Sequence, residues 1–265
     1  MSFPVKAVVL DWAGTMVDFG CMAPVRALVE VFAAEGVELT AEEARRDMGK
    51  AKLDHLRALL AYPEIKARWT EAKGAEPGEA DVERVYAALG PAMKEAAAKA
   101  SRLIPGAAAA IAEIRAMGVR IGSGTGYTRE MMADILTNAA EQGYEPEVVV
   151  CAGETPSGRP APLMTWKALI ELDAWPARAC IKVDDAPVGI LEGKAAGCWA
   201  VGLSASGNGV GLDHKALEAL PSVERQERLA KAQAELRAAG ADYIIEDVSH
   251  LPGIVRDIAR RIAGS

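Results

Sequence analysis

Short apolar segments alternate along most of this chain with segments that have the periodicity of amphipathic helices. The apolar segments are four or five residues long, which suits strands that are buried on both faces. Strands that alternate with helices form parallel sheets with crossover connections. The pattern therefore predicts an α/β fold with a Rossmann-like, doubly wound parallel sheet. Its strands are expected at 6–10, 119–122, 147–151, 180–183, 199–203 and 242–245.

Several helices between these strands have recognisable start and stop signals. Pro105 begins a helix that runs to Gly118, since proline suits a first helical turn and glycine suits the left-handed conformation that closes a helix. Thr128 is placed to cap a second helix, which ends at Gly143. A third helix is expected over 251–262.

The interval 21–100 contains helical patterns only. A capping-box signature at 40–43 begins one of its helices. Pro63, the loop 74–78 and the dipeptide at 90–91 are expected to break the rest into short helices. We therefore predict an all-helical cap domain inserted into an α/β catalytic core. The cap is expected at 21–100 and the core at 1–20 and 101–265.

Composition argues against several classes of function. Thirty Lys and Arg against thirty-seven Asp and Glu give a net charge of −7, so we expect no nucleic-acid partner. No stretch approaches the roughly 18 to 20 apolar residues that cross a bilayer, and the N-terminus lacks the pattern of an export signal. The four cysteines have no metal-binding spacing and are expected to be reduced, with Cys151, Cys180 and Cys198 as core residues. These features predict a cytoplasmic protein with no membrane partner.

Polar residues follow three of the predicted strands directly. Asp11 follows the first strand, the loop 123–126 follows the second, and Asp184 and Asp185 follow a later one. Ligands of an open parallel sheet bind beyond the carboxyl ends of its strands. Carboxylates from two strands can together hold a hard divalent cation such as Mg²⁺. The backbone N–H groups of the loop 123–126, which leads into a helix, can bind an anion.

Each of these features alone is weak evidence of a site, because a strand-terminal Asp is often only a turn former. Two adjacent carboxylates after a buried strand are less easily explained, since they are unfavourable unless a cation or hydrogen-bond donors compensate. The combination in this order along the chain is more specific than any of its parts.

Four segments extend this pattern, namely 11–15, 48–55, 126–132 and 158–160. In these segments the sequence resembles the haloacid dehalogenase-like superfamily and, within it, the phosphonatase family, over nearly the whole chain. The resemblance implies a Mg²⁺-dependent hydrolase that cleaves the carbon–phosphorus bond of a small phosphonate, phosphonoacetaldehyde. The implied products are acetaldehyde and phosphate, formed during phosphonate degradation. A homodimer joined through the cap is also implied.

The resemblance further implies the roles of individual residues. Asp11 would attack phosphorus, and Lys52 would form an imine with the aldehyde, assisted by His55 and Tyr127 in imine formation and proton handling. The implied metal ligands are Asp11, the backbone carbonyl of Ala13 and Asp185, with Asp184 as the alternative to Asp185. The implied substrate-binding residues are Cys21, Met48, Gly49, Thr125, Gly126 and Arg159.

Ala13 and Lys52 are chemically consistent with each other. Phosphatases of the superfamily usually have a second Asp two positions after the nucleophile, where it protonates the departing alkoxide, and here that position is Ala13. Loss of such an acid would cost a phosphate ester roughly 10²- to 10⁴-fold in rate. A carbon leaving group needs an electron sink instead, which a protonated imine on Lys52 supplies. Lys52 must then be partly neutral, with a lowered pKa, and helical spacing would place it on one face with Met48 and His55.

Two alternatives remain open at this stage. A phosphate-ester phosphatase or phosphomutase of the same superfamily is one, although Ala13 argues against it. A noncatalytic phosphonate- or phosphate-binding protein is the other, although the retained Asp11 and Lys52 count against it.

One departure from the superfamily is also present, because many members have Gly where this chain has Asp184 and a further Asp where it has Gly189. We expect Asp185 to be the direct ligand, and a cap–core hinge near 19–21 and 100–105.

Overall fold

The computed structural model describes residues 3–264 and contains one sheet of six parallel strands in the order β3-β2-β1-β4-β5-β6. All six predicted strands are present, with ends within two residues of the prediction. The fold class is therefore confirmed. The strands are β1 (Ala7–Leu10), β2 (Arg120–Gly124), β3 (Val148–Val150), β4 (Cys180–Asp184), β5 (Trp199–Leu203) and β6 (Tyr243–Ile245).

Helices cover both faces of this sheet. The side chains of the central strand β1 accordingly alternate between two apolar clusters, one on each face. Val8 and Leu10 of β1 belong to one cluster, and Ala7 and Val9 belong to another. The helices of the core region are α6 (Ala107–Ala116), α7 (Arg129–Glu141), α8 (Leu163–Glu171), α9 (Pro187–Ala196), α10 (His214–Glu218), α11 (Ser222–Ala238) and α12 (Leu251–Ala263).

Between 22 and 99 the structure contains helices and no strand. Thr40 and Glu43 form the predicted capping box, and Thr128 caps α7 as predicted. Within residues 3–264, no helix is both long and apolar enough to cross a membrane. The domain boundaries at 21 and 100 stay a prediction. The helices of this interval are α1 (Met22–Ala34), α2 (Ala41–Ala44), α3 (Lys52–Ala61), α4 (Pro63–Lys73) and α5 (Glu79–Lys99).

The prediction of a break at Gly90 and Pro91 was wrong, because both residues lie inside the continuous helix α5. Proline removes one backbone hydrogen bond from a helix interior, and its ring crowds the preceding turn. A buried apolar stripe on either side of Pro91, which includes Val85, Leu89 and Met93, outweighs that local cost. Packing against α1 therefore overrides the local signal.

Candidate active site

A small cavity lies where the carboxyl ends of β1, β2 and β4 meet the helical interval. Its volume is about 20 Å³, enough for about one or two water molecules. All the predicted site residues except His55 and Asp184 line this cavity. The sheet contributes one side of its wall, and residues 48–52 contribute the other.

Three buried carboxylates form an acidic cluster at the sheet side of the cavity. Asp11, Asp184 and Asp185 each offer an oxygen atom, and these atoms lie within 4.8 Å of one another. Burial, and then the charge of Asp184, raises the pKa of Asp11 to about 6. Burial also raises the pKa of Asp185 well above its usual value, with Asp11 and Asp184 adding to the effect. A divalent cation would offset this crowding of negative charge, and an all-oxygen donor set suits Mg²⁺.

Asp184 is engaged by protein cations and does not face the cavity. One of its oxygens lies 2.7 Å from Nζ of Lys182 and 3.4 Å from Nη1 of Arg159. The other accepts a hydrogen bond of 3.1 Å from the backbone N–H of Ala186. Although burial alone would raise it, Arg159 and Lys182 hold the pKa of Asp184 below its usual value. Asp184 therefore acts as a counter-ion within the protein.

Asp185 does line the cavity, and protein donors orient its carboxylate. The backbone N–H of Asn208 donates to Oδ2 at 2.7 Å, and the hydroxyl of Thr15 donates to Oδ1 at 3.3 Å. Neither contact neutralises the carboxylate charge. Asp185 is thus better placed than Asp184 to bind a metal ion together with Asp11. Thr15 lies in the segment 11–15 but was given no role from the sequence, and Asn208 was missed because it does not directly follow a predicted strand.

Gly189 has a structural reason to depart from the superfamily pattern. A Cβ atom at position 189 would overlap the carboxylate of Asp184. The carboxylate of Asp184, from strand β4, fills the space beside position 189 of α9. Asp184 and Gly189 therefore depend on each other.

Lys52 reaches the cavity from the helical side as the first residue of α3. Its side chain is buried, with Nζ 3.5 Å from Sδ of Met48 and 5.2 Å from the ring centre of Tyr127. Burial lowers the pKa of Lys52, as the imine chemistry requires. The predicted single helix face was wrong for Met48, because α3 begins only at Lys52, but Met48 still contacts the amine through the preceding turn.

His55 and Tyr127 are both buried in neutral form. Burial, and then the charge of Lys52, lowers the pKa of His55 to about 3. Burial raises the pKa of Tyr127 well above its usual value, and its hydroxyl has no hydrogen-bond partner among the described residues. Tyr127 can therefore offer its hydroxyl to a ligand in the cavity, whereas His55 lies behind the cavity wall on α3.

The loops that close the cavity approach each other through glycines. A Cβ at Gly126 would lie 2.6 Å from the backbone oxygen of Lys50, and one at Gly49 would lie 2.8 Å from the side chain of Val188. Thr125 is buried, and its hydroxyl accepts a hydrogen bond of 3.1 Å from the N–H of Tyr127. The contact between the helical interval and the sheet loops is therefore as tight as backbone allows.

Arg159 joins the two sides of the site. Its Nη1 lies 2.8 Å from Oδ1 of Asp11 and 3.4 Å from the oxygen of Gly49, and its Nη2 donates to the oxygen of Gly124 at 2.9 Å. Cys21 also lines the cavity, and burial keeps its thiol neutral by raising its pKa well above the usual value. All four cysteines are buried and free, as predicted.

The chain belongs to the haloacid dehalogenase-like hydrolase family, whose model matches residues 5–197. Within that family its relatives are named phosphonoacetaldehyde hydrolase. One from Paraburkholderia phytofirmans is 47% identical over 98% of this chain and 97% of the relative. Another, from Syntrophobacter fumaroxidans, is 45% identical over 96% of this chain and 92% of the relative.

A solved structure is similar to this chain along almost its whole length. It is described as a phosphonoacetaldehyde hydrolase like protein from Oleispira antarctica and is 43% identical. The match covers 99% of this chain and 95% of that chain, with a TM-score of 0.97. The fold and the family assignment thus agree.

Proposed function

We propose that this chain hydrolyses phosphonoacetaldehyde to acetaldehyde and phosphate, the substrate for which its relatives are named. The proposal rests on one observation. Lys52 and Asp11 come from distant parts of the sequence, yet both line the same small cavity. Ala13 lines the same cavity, where ester phosphatases of the superfamily have an acid. The site thus offers an amine and a carboxylate, and position 13 offers no leaving-group acid.

Lys52 prepares the substrate by forming an imine. Its neutral amine adds to the aldehyde carbon and water leaves, so the lowered pKa of Lys52 favours this step. The protonated imine then draws electrons from the carbon–phosphorus bond. The hydroxyl of Tyr127 is placed to hydrogen-bond to the carbinolamine oxygen. The neutral His55, which lies three residues after Lys52 in α3, assists Lys52 in imine formation and proton handling.

Asp11 receives the phosphoryl group. One of its carboxylate oxygens attacks phosphorus, the carbon–phosphorus electron pair forms an enamine, and an aspartyl-phosphate remains. Water cleaves that intermediate to phosphate and Asp11. The enamine is protonated on carbon, and a second water releases acetaldehyde and the free amine of Lys52, so one water is consumed overall.

The remaining residues bind and orient the substrate. Arg159 supplies a buried positive charge to the phosphonate, and Thr125 and Gly126 supply a loop beside it, while Met48 and Gly49 pack over the aldehyde side. Asp11, the carbonyl of Ala13 and Asp185 would hold Mg²⁺, which neutralises charge on the phosphoryl oxygens when bound.

Borohydride trapping tests the imine directly. We expect reduction in the presence of phosphonoacetaldehyde to add a stable mass to Lys52, located by peptide mapping. We also expect Lys52→Arg to lower phosphate release by at least about 10³-fold. Lys66→Arg, at a half-buried lysine of α4 that is paired with Glu76 and does not line the cavity, is the matched control and should keep activity. Turnover without any label on Lys52 would contradict the imine step.

Substrate comparison separates this proposal from its rivals. We expect phosphate release from phosphonoacetaldehyde to depend on Mg²⁺ and to exceed release from a generic phosphate ester. Faster release from the ester would favour an ordinary phosphatase, and no release from either would favour a binding protein. The cytoplasmic location and the homodimer through the cap belong to the same proposal. Sedimentation of the purified protein tests the dimer.

A further inference from the structure

Glu192 and Lys182 are two buried charges that the reaction described above does not use. Both side chains are about 1% exposed or less, and neither lines the cavity. Burial of charged side chains is costly, because the free energy of desolvation can exceed that of the attraction between the charged partners. Their contacts lead to Arg159, which contacts Asp11, and to Asp184, which is itself a member of the acidic cluster.

Glu192 binds the Nε side of the Arg159 guanidinium group. Oε2 of Glu192 accepts a hydrogen bond of 2.9 Å from Nε of Arg159. A carboxylate at Nε fixes rotation of the planar group, so its two outer nitrogens point toward Asp11 and the oxygen of Gly124.

Glu192 is itself fixed by the first turn of α8. Its Oε1 accepts a hydrogen bond of 3.1 Å from the backbone N–H of Thr165 and one of 2.9 Å from the Thr165 hydroxyl. Lys182 lies 3.6 Å from Oε2 of Glu192 and 2.7 Å from Asp184. Each anion of this set touches both cations, since Arg159 also lies 3.4 Å from Asp184.

The four side chains form a closed ring of alternating charge with no net charge. A Cβ at Gly193 would lie 2.6 Å from Cβ of Lys182, so a glycine is needed where α9 crosses Lys182. Arg159 of the ring also contacts Asp11, whereas no cation of the ring forms an ion pair with Asp185, whose charge is left to groups that enter the cavity.

We propose that Glu192 is a positioning residue that aims Arg159 at the phosphoryl-binding position, with Lys182 as its balancing charge. The proposal rests on the proposed function in that the entering group carries a phosphoryl or phosphonyl anion. Glu192 acts through Arg159 and does not touch the substrate.

The test uses Glu192→Gln, which keeps the side-chain shape and removes its charge. We expect the kcat of phosphonoacetaldehyde hydrolysis to fall roughly tenfold or more, and the Kd of inorganic phosphate with Mg²⁺ to rise by a similar factor in the folded protein. Glu171→Gln, at an exposed glutamate of α8, is the matched control and should change neither. A purely structural role would lower the thermal midpoint and leave phosphate affinity unchanged, which would overturn the proposal.

Two further variants keep the proposal testable if Glu192→Gln folds poorly. Thr165→Val removes one donor to Glu192 without changing any charge, and we expect a smaller shift in phosphate affinity in the same direction. Lys182→Met combined with Glu192→Gln restores the charge balance. The double variant should therefore lose less activity than the product of the two single losses, and full additivity would contradict the ring.

Phosphate binding is measured without the substrate, so the two proposals can fail separately. A wild-type protein that binds phosphate but does not turn over phosphonoacetaldehyde would defeat the proposed function alone. Unchanged phosphate affinity in Glu192→Gln and Thr165→Val, beside an active wild type, would defeat the role of Glu192 alone.

Discussion

Asp11 must be ionised to attack phosphorus and to bind a metal ion, yet its surroundings favour the protonated form. Burial and the nearby Asp184 raise its pKa, while Arg159 partly offsets them. Asp184 is kept ionised by Arg159 and Lys182. The pKa values of Asp11 and Asp184 are therefore shifted in opposite directions because their partners differ, and a bound cation would favour the ionised form of Asp11.

We predict that the affinity of the protein for Mg²⁺ decreases as the pH falls, because Asp11 becomes protonated. The pKa of Asp11 is raised to about 6, so the carboxyl holds its proton at pH 5, where an ordinary Asp would be ionised. The metal ion binds the deprotonated carboxylate, so the contribution of Asp11 to affinity is lost as the pH falls through that value. We expect the Kd of Mg²⁺ at pH 5 to exceed that at pH 7 by about tenfold or more, measured by titration calorimetry.

Asp54→Asn, at an exposed Asp of α3, should retain the same pH dependence. Equal Mg²⁺ affinity at pH 5 and pH 7 in the wild-type protein would contradict the raised pKa of Asp11.

Gly189 supports a second prediction at this scale. In Gly189→Ala the new methyl group overlaps the Asp184 carboxylate, which must leave its contact with Lys182. We expect the free energy of unfolding to fall by about 1–3 kcal/mol, measured by urea denaturation. Gly253→Ala in α12 has open space around its Cβ, and it should raise the same free energy by up to about 1 kcal/mol. A Gly189→Ala variant as stable as the wild type would show that Asp184 can move freely.

At the scale of elements, most strands and several helix ends could be predicted, because buried parallel strands appear as short apolar segments and caps have local signals. The convergence of Asp11 with Asp185 followed from the same reasoning about strand ends. The sheet order and the continuity of α5 could not be predicted, since they depend on packing between distant segments. Lys182 and Glu192 were missed because no motif marks a charged residue in the interior of a predicted strand or helix.

We predict that Pro91→Ala stabilises α5. Pro91 is exposed within this helix and removes a backbone hydrogen bond there. Restoring the N–H should raise the free energy of unfolding by about 1 kcal/mol or more, measured by urea denaturation. Ala92→Pro, at the next position, is the contrasting variant and should lower it. An unchanged or lowered stability in Pro91→Ala would mean that the helix depends on a proline bend at this point.

At the scale of the whole molecule, the site is too small to admit a substrate without a change of conformation. The cavity holds about 20 Å³, room for only about one or two waters, whereas phosphonoacetaldehyde is larger. The backbone of Lys50 at Gly126 and the side chain of Val188 at Gly49 leave little space between the two sides. Entry therefore requires the helical interval to move away from the sheet loops, and closure then excludes water from the imine and from phosphorus.

We predict that this motion bends the chain at 19–21 and 100–105. The residues shortly before the first segment pair with the second segment. Val17 and Leu103 form an antiparallel bridge, and the N–H of Ile104 donates to Met16. Inorganic phosphate with Mg²⁺ should favour the closed form, so amide hydrogen exchange in both segments should slow when these ligands saturate the protein. The amides of α12, which lies away from the site, should exchange at unchanged rates. Equal exchange in both segments with and without ligand would place the bending elsewhere.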